Sequence, residues 1–323
     1  MKPVLKLYRG YANEDELIVM GHVFKPGMAP EYDFSKKSFR NATSVIQAFR
    51  IKTDANADIY LHHNGEKIHT KTLDDGYFKF SIPLKQETKH GWMKYQVSMD
   101  YKGEEIIESG SFIRPHPGNL GFISDIDDTF LISHTQNPLR KLYILLFRNV
   151  SKRKIFQNVA AHYQALSAAG RNSREEENAF FYVSSSEWNL YRFIIDFTEL
   201  HKLPKAVLLL KNIKTSLKDF VMSGRGGHNH KFEKIKHILE FYPHLTYTLL
   251  GDDSQQDPFL YETICKIFPV NVKAVYIRQT GPAKKEKTIA ALSNLDSLNI
   301  QTCYFSDSAE AIAHSRKIGL IPE

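Results

Sequence analysis

The chain has 323 residues, 42% of them hydrophobic and 24% charged, so it exceeds the usual size of one core and is expected to form two domains. That balance excludes a largely disordered or collagen-like chain. A formal charge of +7 favours anionic partners without choosing among nucleic acid, anionic lipid and phosphorylated small molecules.

From about Leu5 to Phe112 the pattern reads as strands. Phe78, Phe80 and Ile82 alternate with Tyr77, Lys79 and Ser81, and Met93, Tyr95, Val97, Met99 and Tyr101 do the same, which is the period of a half-buried strand. Asn64-Gly65, Asp74-Asp75-Gly76 and Lys102-Gly103 are turn signals at hairpin spacing, so a small antiparallel β-sandwich is expected over residues 1–114. No catalytic constellation falls in it.

Pro115-His116-Pro117-Gly118 cannot continue a sheet ladder and reads as the linker into a second domain, 115–323. There the rhythm changes to short apolar runs separated by helical stretches: Leu120 to Ser124, Ala179 to Val183, Ala206 to Leu210, Tyr247 to Leu250 and Val272 to Ile277. Near-continuous apolar strands of this kind predict an α/β domain, a Rossmann-like parallel sheet with helices on both faces, whose ligand site lies at the carboxyl ends of the strands.

Asp125-Ile126-Asp127-Asp128-Thr129 follows directly on Gly121-Phe122-Ile123-Ser124. Carboxylates at i and i+2 past a strand end can share one pocket, where one attacks phosphorus and the other manages a leaving group's proton. Taken alone, the same pentapeptide fits a solvated loop or a helix cap equally well. Ser184, after Phe180 to Val183, is either a hydroxyl donor to a phosphoryl oxygen or the cap of the next helix. Lys231 opens a stretch whose Phe232, Ile235, Ile238 and Leu239 share a face; it could reach the strand ends, although a surface lysine is the default. Gly251-Asp252-Asp253, with Asp257 beyond, offers close backbone approach and hard oxygen ligands of the kind Mg²⁺ takes. Four such elements in order are much less probable by accident than any one.

In that order they resemble the four motifs of the haloacid-dehalogenase superfamily of phosphotransferases, over about Leu120 to Ile321. More narrowly, Val183 to Trp188, His230-Lys231, Gly251-Asp252 with Asp257-Pro258 and Tyr261, Tyr276-Ile277-Arg278 and Gly319-Leu320-Ile321 resemble the actin-patch-protein phosphatidate phosphatase family. The chain departs from that family at Ser186-Glu187, where Ser-Pro is usual, and at Asp253, which precedes Ser254.

The resemblance implies a Mg²⁺-dependent phosphomonoesterase with Asp125 as nucleophile, Asp127 as acid and base, and Ser184 and Lys231 on the equatorial oxygens. Metal ligands would come from Asp125, Asp127 through its carbonyl, and Asp252, with Asp253 or Asp257 in support. Thr129, Ser185, Arg225 and Arg278 are the candidate substrate contacts, the two arginines being equally suited to pairing with a carboxylate. Phosphatidate is the leading substrate; a soluble sugar, nucleotide or polynucleotide phosphate is the alternative, and a non-catalytic scaffold ranks below both.

Arg140, Lys141, Arg148, Lys152, Arg153 and Lys154, interleaved with Leu142 to Phe147, look like a basic amphipathic segment that could touch anionic membrane, or like an ordinary helix with a basic end. His228 and His230 lack a third ligand nearby, and Gly224-Arg225-Gly226-Gly227 lacks the ending of a nucleotide loop. Met1 to Met20 holds Glu14, Asp15 and Glu16 and no run of signal-peptide length, and no later run approaches spanning length. Cys265 and Cys303 make neither a disulfide framework nor a metal spacing. The expected location is cytoplasmic, with peripheral membrane contact.

Overall fold

The computed structural model describes residues 2–26, 52–84, 89–118, 120–126, 153–173, 176–211, 229–254 and 256–323, with the backbone alone at 153–157 and 229. The described chain divides into two compact units, the first made of Met1–Pro115 with Glu187–Asp196 and the second containing His116–Ser186, Phe197–Lys211 and Arg225–Glu323.

Alternation builds the first unit. Its strands are β1 (Val4–Leu7), β2 (Gly10–Ala12), β3 (Glu16–Phe24), β4 (Asp58–His63), β5 (Glu66–Lys71), β6 (Tyr77–Pro83), β7 (Gly91–Tyr101) and β8 (Glu104–Arg114). Phe78, Phe80 and Ile82 of β6 are buried while Lys79 and Ser81 face out, as period two requires. The hairpin β4–β5 turns at Asn64 (φ 50°) and Gly65 (φ 79°), a left-handed pair that suits the twist of a tight hairpin. These strands make one branched eight-stranded sheet, β1-β3-β2-β8-β7-β4-β5 with β6 on the far edge of β3. β3 is long enough to pair with three neighbours: β1 at Gly21 to Phe24, β2 at Leu17 and Ile18, and β6 along Glu16 to His22. The pairing of β2 with β8 is parallel, so the sheet departs there from the all-antiparallel arrangement expected. Val19, Val23, Phe78 and Phe80 share a core with Ile59, Leu61, Val97 and Phe112. Tyr8 stacks on Trp188, with ring centroids 4.2 Å apart; the Tyr191 ring packs against Tyr8 at 4.3 Å, and its hydroxyl oxygen accepts from the Arg9 amide at 2.7 Å.

The second unit alternates β9 (Leu120–Asp125), α1 (Arg153–Ser167), β10 (Ala179–Glu187), α2 (Tyr191–Leu200, begun in the first unit), β11 (Val207–Lys211), α3 (Asn229–Phe241), β12 (Thr246–Asp252), α4 (Asp257–Ile267), β13 (Val272–Arg278), α5 (Glu286–Asp296), β14 (Gln301–Phe305) and α6 (Ser308–Lys317). Its sheet order is β11-β10-β9-β12-β13-β14, and β9 pairs parallel with both β10 and β12, as β13 does with β12 and β14. The strands are buried along nearly their whole length, which is why they read as apolar runs rather than alternations. From β9 the order steps outward through β10 and β11, then returns to the other side of β9 with β12. Connections therefore part company between β9 and β12, where an open α/β sheet leaves a crevice at its carboxyl ends. β14 was not among the expected strands: Gln301, Thr302 and Cys303 dilute its apolar signal because it is a half-exposed edge. Among the described residues no helix is long and apolar enough to cross a membrane.

Two buried histidines give the fold an acid limit. His22 Nδ1 lies 2.9 Å from the Tyr8 hydroxyl while Nε2 is buried without a hydrogen-bond partner among the described residues, and burial pushes the ring down to about 3. His162 Nε2 meets Ser315 Oγ at 2.8 Å; burial, with the charges of Arg278 and His314, pushes it down to about 4. Both rings are neutral in the fold, whereas an unfolded histidine takes its proton near 6.5. Their stabilisation is complete above that value and is lost as pH falls from it towards 4 and 3, at up to about 1.4 kcal/mol per histidine for each pH unit. Urea midpoints should therefore drop steeply between about pH 6.5 and about pH 5, and His162→Gln should flatten the drop; a midpoint independent of pH over that range would contradict it.

Candidate active site

The site grows from three strand ends brought level by register. Asp125 is the last residue of β9 and pairs with Val183, so Ser184 of β10 stands one residue beyond it. Ser124 pairs with Leu250 of β12, so Gly251 and Asp252 extend past the same line. A Cβ on Gly251 would come within 2.9 Å of Asp257 Oδ2 and 2.9 Å of Tyr261 Cε2; the missing side chain lets the start of α4 sit against β12. Tyr261 fixes that approach by donating its hydroxyl to the Leu250 carbonyl at 2.9 Å, and Pro258 occupies the first turn of α4, where no amide is needed.

Asp125, Asp252 and Asp257 converge in this way, each offering an oxygen within 4.8 Å of the others, and all three are buried. Lys231, in the first turn of α3, is 4% exposed and not a surface residue. Its ammonium lies 2.9 Å from Asp125 Oδ1 and donates to Asp257 Oδ1 at 3.1 Å. One ammonium inside the cluster and the buried Arg278 beside Asp252 stand against three carboxylates, so the buried site stays net negative when all are ionised, a balance that a divalent cation would correct. Asp257 Oδ2 is buried with no hydrogen-bond partner among the described residues. A hard oxygen donor set of this kind fits Mg²⁺.

Within this chain, residues 120–279 match the family described as phosphatidate phosphatase APP1, catalytic domain, and so span the whole of that site. That segment is similar to the family's catalytic domain. Phosphatidate phosphatase APP1 of Saccharomyces cerevisiae is 26% identical over 202 residues, which cover 61% of this chain and 33% of that protein, so the match spans about a third of the relative's length. A carbohydrate acetylesterase from Xanthomonas citri aligns over 98% of this chain and 75% of its own at 11% identity, with a TM-score of 0.34. A minor pilin from Streptococcus sanguinis aligns over 83% of this chain and 88% of its own, also at 11% identity, with a TM-score of 0.31. Overlaps that loose carry no argument.

Hydrogen bonds and burial sort the remaining candidates. Ser184 is buried; its Oγ accepts from the Ser186 amide at 2.9 Å, and β10 runs on through the serines to Glu187, so they are strand residues and not a helix cap. Ser185 is exposed on that strand. Asp253 stands outside the carboxylate cluster: it accepts from the Thr280 amide at 2.9 Å, the Thr280 hydroxyl and the Tyr304 hydroxyl at 2.5 Å, with Lys285 at 3.6 Å. Burial alone would raise its pKa, but those hydrogen bonds and the lysine charge outweigh burial and hold it below the usual carboxylate value. Arg278 is buried at the end of β13, donates to Ser308 Oγ at 2.5 Å and lies 4.9 Å above the Phe305 ring. It stands in register with Asp252 of β12, whose charge acts on it, so it lies beside the cluster as well as on Ser308. Asp127, Thr129, Arg225 and His228 lie outside the described residues, as do Arg140 to Lys152 of the basic stretch; Arg153 and Lys154 open α1. His230 sits with Nε2 3.4 Å from the Ser184 carbonyl, a backbone contact and not a ligand position.

Proposed function

We propose that this chain is a Mg²⁺-dependent phosphomonoesterase of haloacid-dehalogenase type that works through an aspartyl-phosphate, with phosphatidate as its leading substrate. The observation that carries the reading is the convergence of Asp125, Asp252 and Asp257 on Lys231 at the carboxyl edge of the parallel sheet, at the point where strand order reverses. The name of the yeast relative and of the family supports the lipid substrate. The strand order is that of a doubly wound nucleotide-binding sheet, which supports the superfamily assignment.

On this reading Asp125 attacks phosphorus in line while the bond to the ester oxygen breaks, and Asp127 gives its proton to the departing alkoxide. Asp127 then takes a proton from water as that water attacks the phosphoryl group and Asp125 leaves as carboxylate. Lys231 and Ser184 hold the equatorial oxygens, a fixed polar environment of the sort that contributes roughly 2.7–4 kcal/mol per donor in other enzymes. Asp125, Asp252 and Asp257 would hold Mg²⁺, which would supply the positive charge that lets an anionic carboxylate approach an anionic phosphate. An alkoxide leaving group needs the acid that Asp127 provides, which favours phosphomonoesters over nucleoside triphosphates.

The substrate class is tested by comparing phosphatidate in mixed micelles with a panel of soluble sugar, nucleotide and polynucleotide phosphates. The lipid reading expects kcat/KM for phosphatidate at least about tenfold above the best soluble ester, the factor that about 1.4 kcal/mol of extra transition-state binding supplies. A soluble ester that matches or exceeds phosphatidate would replace it. A cytoplasmic location with peripheral contact to anionic membrane belongs to the same proposal, and failure to float with anionic vesicles at low salt would remove it.

A further inference from the structure

Helix α3 does more than deliver Lys231. His230 reaches the carbonyl of Ser184 on β10, Lys231 reaches Asp125 on β9, and the ammonium of Lys234 donates to the carbonyl of Leu210 on β11. These strands are neighbours in the order β11-β10-β9, so the first two turns of α3 lie across three consecutive strand ends. Strands are spaced about 4.8 Å apart, which puts the end of β11 roughly 10 Å from the nucleophile Asp125 along the same edge.

Two lysines stand at that strand end. Lys211 is the last residue of β11 and Lys234 is half-buried beside it. Among the described residues neither makes an ion pair with a carboxylate, and the charge of Lys211 acts on Lys234 repulsively. Burial, and after it this repulsion, pushes the Lys234 ammonium down to about 7. The Leu210 carbonyl uses one of the three ammonium protons of Lys234, leaving donors for another acceptor. A half-buried ammonium held on the carbonyl next to Lys211, with that lysine's charge acting against it, is unfavourable unless an anion joins it.

We propose that Lys211 and Lys234 form a subsite for a second phosphate-type anion carried by the substrate itself, roughly two strand spacings, about 10 Å, from the reacting phosphorus. The subsite rests on Asp125 being the reaction centre and belongs to the soluble-ester alternative to phosphatidate, for which it names a bisphosphorylated or similarly two-headed anion as the preferred class; phosphatidate, with one phosphate, would leave it empty. It lies on the β11 side of β10, away from Asp252 and Asp257.

The test compares hexanediol bisphosphate with hexyl phosphate on the full chain. The wild type should favour the bisphosphate in kcat/KM by about tenfold, the size of one charge-assisted hydrogen bond. In Lys234→Gln and in Lys211→Gln that ratio should fall towards the factor of about two due to having two equivalent ends, and Lys234→Arg should keep most of it. Unchanged melting temperature in these variants separates lost recognition from lost folding. A ratio that is the same in the wild type and both glutamine variants overturns the subsite. If neither compound is turned over, the phosphatase reading fails, and calorimetric titration decides the subsite independently. Tighter binding of the bisphosphate that is lost in Lys234→Gln sustains it, and equal binding of the two compounds overturns it.

Discussion

Asp125→Asn is expected to abolish Mg²⁺-dependent phosphate release from an aryl phosphate and from phosphatidate, by roughly 10³-fold or more, as loss of a nucleophile does elsewhere. Asparagine matches the carboxylate in shape, so the buried end of β9 and its pairing with Val183 should persist. What changes is chemistry: an amide cannot form the acyl-phosphate, and one oxygen of the three-carboxylate cluster becomes a weak ligand. EDTA should silence the wild type to a similar degree. Asp127→Asn provides the contrast, because losing a proton donor should spare Mg²⁺ binding while stopping turnover. Activity retained in Asp125→Asn would remove the nucleophile assignment, and activity that ignores EDTA would remove the metal.

The second large effect concerns stability. Lys231 is the positive charge of a buried site, 2.9 Å from Asp125 and 3.1 Å from Asp257. Lys231→Met keeps the length of the side chain and deletes the charge, leaving three buried carboxylates to repel one another. Removing one partner of a buried ion pair generally costs about 3–5 kcal/mol, and that loss is expected here in EDTA. Added Mg²⁺ should recover more stability in the variant than in the wild type, since binding to the folded state alone stabilises by RT ln(1 + [L]/Kd) and the variant site is the more electron-rich. Urea unfolding with and without Mg²⁺ reads both effects. A variant as stable as the wild type in EDTA, with no response to Mg²⁺, would mean that the carboxylates are protonated in the fold and hold no cation. Lys231→Arg should not restore activity, because a planar guanidinium cannot stand between Asp125 and Asp257 as a point charge does.

Much of the fold follows from local pattern. Phe78, Phe80 and Ile82 had to share a face because strand side chains alternate, and Asn64-Gly65 had to turn because that pair accepts positive φ. Leu120 to Ser124 and Thr246 to Leu250 announce buried parallel strands by being apolar throughout, and acidic residues directly after such strands mark the carboxyl edge. Asp125, Lys231 and Asp252 of the buried cluster were therefore legible as a set of residues, each with a bland reading beside it.

Only tertiary structure chose between those readings. Asp253 and Asp257 are both carboxylates past β12, but Asp253 is drawn off by Thr280 and Tyr304, far along the chain, while Gly251 and Tyr261 bring Asp257 in over the strand end. Lys231 has the sequence of a surface lysine; burial against carboxylates 106 residues earlier and 26 later makes it part of the site, and no local pattern encodes such partners. The parallel pairing of β2 with β8 and the edge strand β14 were hidden for the same reason. Composition and period specify which residues want to be buried and in what local geometry, whereas the partner each polar group finds depends on strand order and register, which join residues remote in sequence.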